Sequence, residues 1–384
     1  MLYILLMYRE VIYKVRWSTD YTENQRNQRT FLYIILSGSP PKINYEKDYL
    51  MEGKKTLITA KGLLSKYTTF ATFVALVFVL GVLTKGSALS WSSIKTLIIA
   101  ESVRAFASLG VGMIIITWGI DLSIGYVVCL CSSVAASFAQ VPTYESALFF
   151  GHDFPFFMPI LAGVAAGGIF GCLNGVLVAY GRLPPFIATL GTMSLARGVQ
   201  LIYTKAQIVG SLKQSFKNIA QKSIGPSFFQ FPLLGIYVIV AAVLVWVLLK
   251  HTRKGTNFYA IGGNPQAARV SGINVERELV SVYFIAGLLY GVAGVLQASR
   301  LGLANALTAN GMELDAIAAV TVGGISQTGG VGTVGGMIIG VFTMGLINYG
   351  MSFLSIDSYY QLLVKGAIII VAVFFDMKKY ARRA

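Results

Sequence analysis

Six ionisable residues of this 384-residue chain fall inside long apolar runs: Glu101, Arg104, Arg197, Glu313, Asp315 and Lys365. A seventh, Asp121, lies between two such runs. Charge in an apolar run is costly, so each is a candidate for a polar pathway or a gate. Glu101 and Arg104 stand three residues apart, on one helix face, where pairing alone would explain them. Arg197 has no carboxylate near it in sequence. Facing a bundle interior and snorkelling to an interface are both open for it. Glu313, Asp315 and Lys365 could line a pathway or pair with one another, and both readings stand. Strings of carboxylates of the kind proton-coupled carriers use are absent.

Other chemistry is poorly served. His152 and His251 are too isolated for a metal site or a catalytic base. Cys129, Cys131 and Cys172 sit in apolar runs and read as small core residues. Gly262-Gly263-Asn264 is glycine-rich, but no Lys-Ser/Thr follows, so the chain has no phosphate-binding P-loop. An enzyme acting alone is therefore disfavoured, and no cofactor is expected on this chain.

The elements that position these residues follow from composition. Hydrophobic residues make up 55% and charged residues 12%, where a soluble domain carries about 25% charged. So few charges cannot cover a water-exposed surface, which excludes a disordered chain and an ordinary soluble enzyme. The fold class expected is an all-α polytopic membrane protein. The net charge of +15 then reads as basic cytoplasmic loops rather than nucleic-acid binding.

A span needs about 20 apolar residues. Ten candidates are 67–84, 98–118, 123–141, 156–180, 185–203, 231–250, 280–299, 311–325, 332–350 and 359–376. The eighth is short and opens with Glu313 and Asp315. Lys54, Lys55, Lys61 and Lys66 before the first span, and Lys378, Lys379, Arg382 and Arg383 after the last, put both termini in the cytoplasm. Lys250, Arg253, Lys254, Arg269 and Arg277 put 250–279 there too. Parity then requires an even number of crossings on each side of that segment, which six before and four after satisfy when 311–325 is counted as a crossing. A re-entrant pair there would leave eight full spans. Residues 142–154 and 351–358 lack Lys and Arg, as outside loops should. Residues 204–230, also assigned outside, fit less well, with Lys205, Lys213, Lys217 and Lys222.

Gly163, Gly167, Gly171 and Gly175 recur every four residues, as do Gly332, Gly336 and Gly340. Such ridges let helix backbones touch in lipid. Ala162-Gly163 with Gly167 is weakly echoed by Ala286-Gly287 with Gly291. Asp121 or Ser123 is expected to cap the helix after Gly119. In the basic loop, Asn264 as N-cap, Pro265 at the first position and Gly272 past the end predict a short helix around Pro265–Ser271. It is a plausible docking element, with a solvated basic loop as the bland alternative.

Five segments carry a family resemblance: GIDLSIG at 119–125, PPFIATLGTMSLARG at 184–198, YAIGGNPQAARVSGINV at 259–275, ELDAIAAVTVGGISQTGGVGTVGG at 313–336 and YYQLLVKGAIIIVAV at 359–373. In this order they resemble permeases of the ribose/galactoside class of bacterial ABC importers. GGNPQAARVSGINV, INYG at 347–350 and KYARR at 379–383 look most like the galactose/methyl-galactoside class, while GIDLS is shared with ribose permeases. The resemblance implies a permease bundle in the bacterial inner membrane that dimerises with a second permease copy. It also implies a separate ATPase subunit with two nucleotide-binding halves, which uses the ATP, and an extracytoplasmic sugar-binding protein. Galactose or methyl galactoside import is the first expectation. Ribose or another pentose is the alternative, and a stand-alone secondary carrier is the alternative of a different class. Asn264, Ala267, Arg269, Gly272 and Asn274 become candidate ATPase-coupling residues, with Glu313–Gly332 as the competing coupling or gating element. Asp121, Arg197, Glu313, Asp315 and Lys365 remain the pathway or gating candidates.

Charge density shifts once along the chain. Residues 1–50 hold 12 of the 47 charged residues and seven of the tyrosines, and the resemblance begins only after Met51. Residues 51–384 are therefore expected to form the permease domain. Residues 1–50 are expected to be an extension outside the family, with a misassigned start codon as one origin of it.

Overall fold

The computed structural model describes residues 69–226 and 229–381. The extension expected over 1–50 and the basic residues 54–66 lie outside the described residues. Among the described residues thirteen α-helices follow one another: α1 (Thr69–Leu83), α2 (Trp91–Ile116), α3 (Ile124–Ala139), α4 (Met158–Ala179), α5 (Pro185–Thr204), α6 (Gln214–Gln221), α7 (Leu233–His251), α8 (Arg253–Gly263), α9 (Pro265–Val270), α10 (Val275–Leu301), α11 (Met312–Val322), α12 (Val334–Phe353) and α13 (Ser358–Ala381). A two-residue hairpin, β1 (Ser223–Ile224) on β2 (Phe231–Pro232), is antiparallel with Ser223 opposite Pro232. Each of the ten apolar runs is a helix. Six of these helices, α2, α4, α7, α10, α12 and α13, are long and apolar enough to cross a membrane, and α1 and α3 are shorter apolar helices.

The core forms around α2 and α3, which are apolar on all sides and so must be enclosed. Every residue of α2 from Glu101 to Ile116 except Arg104 is buried, as is all of α3 except Val134 and Phe138. Cys129 and Cys131 are fully buried and Cys172 half-buried, all as free thiols.

The first glycine ridge packs as its spacing predicts. A Cβ on Gly167 would lie 2.2 Å from the Gly287 carbonyl oxygen, and one on Gly171 would lie 2.4 Å from that of Tyr283. A Cβ on Gly291 would meet the Val164 Cα at 2.6 Å. Here α4 and α10 touch backbone to backbone. The echo between residues 162–167 and 286–291 has a physical basis: the two stretches are the two sides of one contact. The second ridge seats α12 on α11, with Gly340 against the Ala319 carbonyl and Gly336 against that of Gly323.

The eighth segment departs from expectation. At 11 residues, α11 is about 16 Å long, roughly half of a hydrocarbon core of about 30 Å. It is not a full helical span. Gly324, Gly329 and Gly330 all take positive φ, and this backbone ends the helix. The rest of the segment, 323–333, runs as turns to the end of the bundle that carries α8 and α9. There the Gly330 amide donates to the Ile116 carbonyl at 2.8 Å.

The opposite end is closed by three loops. Gln140 pairs with Leu212, and Val209 with Ala304, in isolated bridges. Lys213 binds Asp153 and the Phe154 carbonyl. Part of the unexpected basicity of 204–230 is thus neutralised by the neighbouring loop.

Candidate functional site

Two constellations hold most of the residues singled out from sequence. The first is at the α8–α9 end. Asn264 Oδ1 accepts from the Ala267 amide at 2.9 Å, and Asn274 Oδ1 accepts from the Arg277 amide at 2.9 Å. Each carboxamide caps the helix that follows it. Helix α9 ends at Val270, and Gly272 stands at φ +87°, a conformation that favours glycine. The capped helix expected from sequence is present. Ala268 alone of α9 is buried, packed with Ile261 and Val275. Asn264, Ala267 and Arg269 face solvent, and Arg269 pairs with Glu276 across the turn.

Helix α8 anchors this knob. A Cβ on Gly262 would stand 1.7 Å from the Ile116 carbonyl oxygen and 2.5 Å from the Gly330 amide. The Tyr259 hydroxyl donates to the Gly332 carbonyl at 2.9 Å. Burial raises the Tyr259 phenol above its usual range, which keeps that proton in place. Asp376 of α13 accepts from the Gln327 amide at 2.8 Å and the Ser326 hydroxyl at 3.1 Å. The two coupling elements weighed against each other in sequence, 264–274 and 313–332, are therefore fastened through one junction.

Asp121 is close to this junction but enclosed. Its Oδ1 accepts from the Ser123 amide at 2.8 Å and the Ser123 hydroxyl at 2.6 Å. Ser123 occupies the N-cap position of α3 and makes no side-chain cap. The expected cap is thus an Asx turn one step earlier. Asn174 donates to the Ser123 hydroxyl at 2.9 Å and accepts from Thr192. This buried chain joins the loop to α4 and α5.

The second constellation lies inside the bundle. Arg104, at the middle of α2, bonds Glu101 Oε1 at 2.5 Å and Asp315 Oδ2 at 3.3 Å. Lys365 of α13 reaches Asp315 Oδ1 at 3.1 Å. Asp315 thus sits between two cations, and Arg104 between two carboxylates. Glu313 is not a member: its Oε2 is buried without a partner, against Gly125. Arg197 faces away from the bundle interior, with its guanidinium 5.2 Å from the centre of the Tyr126 ring.

Sequence reasoning missed four participants. Tyr259 and Asp376 act through partners 73 and 49 residues away, a distance no local pattern reports. Trp118 holds φ +65° beside Gly329 while 62% exposed. Val270 is 90% exposed on α9. One signal was readable for Val270: an apolar residue in a short polar helix, outside any core period.

A family model for "Branched-chain amino acid transport system / permease component" matches residues 93–373. The chain is 42% identical to the galactose/methyl galactoside import permease protein of Haemophilus influenzae over 288 residues, 74% of this chain and 85% of that one. It is 40% identical to the Escherichia coli protein of the same name, over 77% and 89% of the two chains. It is 38% identical to the ribose import permease protein of Bacillus subtilis, over 83% and 95%. No solved structure matches. Members of this permease family typically bind no cofactor. This chain belongs to that family of ABC permease components: it is a multi-pass transmembrane subunit, homologous to permeases of the bacterial inner membrane, and is not itself catalytic.

Proposed function

We propose that this chain is the membrane-spanning permease of an ATP-driven importer for a monosaccharide, with galactose or methyl galactoside first and ribose second. The sugar class rests on the similarity to the two galactose/methyl galactoside permeases, slightly above that to the ribose permease. The observation that carries the mechanism is α9, capped by Asn264 and followed at once by the Asn274-capped start of α10, and fastened through Gly262, Ile116 and Gly330 to the broken segment after α11. Asn264, Ala267, Arg269, Gly272 and Asn274 form the coupling surface in this reading, with Val270 as its apolar contact. An ATPase with two nucleotide-binding halves docks there, and a sugar-binding protein docks on the opposite end. ATP binding and hydrolysis then shift the populations of outward-open and inward-open states.

The α8–α9 end, with both termini, faces the cytoplasm in this reading. The chain crosses ten times, the eighth crossing being α11 plus the turns 323–333. Irregular backbone at that depth is stable only where protein or a cavity supports it. A second copy covers α5. Asp315, Lys365 and Arg197 border the pathway, and buried Asp121 and half-buried Glu313 brace it.

Purified cognate ATPase should bind inverted vesicles containing this chain and not right-side-out ones. Ala267→Arg and Val270→Glu should each lower its capture about tenfold without loss of membrane insertion. With the binding protein added, labelled galactose should accumulate only with ATP, and faster than labelled ribose. Normal capture by both variants rejects the coupling surface. Uptake indifferent to ATP rejects the importer in favour of a secondary carrier.

A further inference from the structure

Beneath the loop 302–311, between α2, α10 and α11, lies a cavity of about 160 Å³. Its polar lining comes from Arg104, Gln297, Arg300, Thr308, Asn310 and Asp315. Arg104 places its floor at the middle of α2, while exposed Asn310 stands at its mouth. We propose that this cavity is a transit site for one neutral monosaccharide, a place where the sugar's hydroxyls are held within the permease itself. The proposal rests on the importer reading above and assigns residues to its cargo.

Three features carry it. The chain is non-helical at 302–311, between α10 and α11, and its backbone there is held by specific partners, with the Ala304 amide on the Val209 carbonyl and the Asn305 amide on the Thr308 hydroxyl, so the loop roofs the cavity in a fixed shape. Substrate sites of membrane carriers form at such helix discontinuities. The lining is also of the right chemistry. Gln297 donates to the Thr308 carbonyl at 3.1 Å and accepts from Arg300 Nη2 at 3.1 Å. The buried Arg300 Nε has no partner. Asn310 accepts from the Tyr126 hydroxyl at 3.2 Å, and its amide nitrogen has no acceptor among the described residues. Planar carboxamide and guanidinium groups with spare donors suit adjacent ring hydroxyls, each of which both donates and accepts. Finally, Asp315 and Arg104 already hold their opposite charges. Arg300 has no carboxylate partner among the described residues, so the cavity offers a neutral guest hydrogen-bond donors beside one unpaired guanidinium, and the sulfate arm of the test below separates a sugar from an anion. Its volume suits a single sugar ring. A site in transit must bind weakly enough to release its cargo, so millimolar occupancy is expected.

The test uses the whole reconstituted transporter carrying Asn310→Cys, labelled with a small membrane-impermeant maleimide; the wild type supplies the background from its own three cysteines. Millimolar galactose or ribose should slow modification about threefold. The slowing should vanish when Gln297→Leu is added. In transport, Gln297→Leu with native Asn310 should raise the ATP hydrolysed per sugar imported. Protection by sulfate in place of sugar makes this an anion site and overturns the proposal, as does modification indifferent to every sugar. If the wild-type transporter imports no monosaccharide but sugar still protects the cysteine, the importer reading fails and the cavity assignment stands.

Discussion

At the scale of single residues, the four charges inside the bundle form a balanced set. Arg104 is shared by Glu101 and Asp315, and Asp315 is shared by Arg104 and Lys365. Charges taken from water are tolerated when each keeps its partner, and removing one partner strands the other. Asp315→Asn leaves Lys365 without its carboxylate and Arg104 with only Glu101. The expected loss is about 3–5 kcal/mol of stability in detergent, read as a lower unfolding midpoint. Lys365→Met should also destabilise. The double variant should lose less than the two singles together, by at least about 1 kcal/mol. Additive losses would show that the pair does not interact. Sequence foresaw part of this set: the three-residue spacing of Glu101 and Arg104 brings them together on any helix, and pairing of Asp315 with Lys365 was one of two open readings, settled only because α13 packs on α11. The link from Arg104 to Asp315 had no signal in sequence.

At the scale of elements, the helices were legible and their joints were not. All ten apolar runs became helices because a lipid-facing backbone has no other way to pair its amides. The glycine ridges were legible for a related reason: a four-residue spacing puts glycines on one face whatever the tertiary fold. Gly167 shows the strength of that constraint. An added side chain meets the Gly287 carbonyl and the Gly291 backbone, which cannot move without parting α4 from α10. Gly167→Val should therefore cost at least about 3 kcal/mol, the upper range for overpacking. Gly366→Val, on α13 where an added Cβ would meet nothing within 4 Å beyond its own helix, should change stability by less than about 1 kcal/mol. Comparable unfolding midpoints for the two would refute the close packing. The length of α11 was the illegible joint. Its apolar run continues past Val322, but the positive-φ glycines from Gly324 to Gly330 break the helix. Hydropathy reports how apolar a run is and not whether its backbone stays helical. The position of Val270 was hidden differently: only the fold shows that Ala268, and not Val270, takes the one buried place on α9.

At the scale of the whole molecule, α5 presents a face that one copy leaves uncovered. Phe186, Ile187, Leu195 and Ile202 are exposed along it. Gly191 and Gly198 have open space where a side chain would go. Small residues spaced along a helix favour close approach of another helix, but apolar exposure alone would suit lipid equally well. Arg197 separates the two cases. It lies near the middle of α5, exposed, and among the described residues only the Tyr126 ring lies beneath its guanidinium. A lipid-facing arginine at that depth costs about 2.5–3.5 kcal/mol on insertion scales. A second copy would remove that cost by enclosing Arg197 in a shared, hydrated pathway. In a two-fold pair, residues close to the axis meet their own counterparts. Ser194, exposed between the two glycines, is the place to look. Oxidation of Ser194→Cys in membranes should give a reducible dimer on a denaturing gel. Ile370→Cys, 71% exposed on α13, should stay monomeric; the wild type, with Cys129 and Cys131 buried and Cys172 half-buried on α4, gives the background from the native thiols. A dimer through Ile370→Cys without one through Ser194→Cys would move the interface to α13 and leave Arg197 facing lipid.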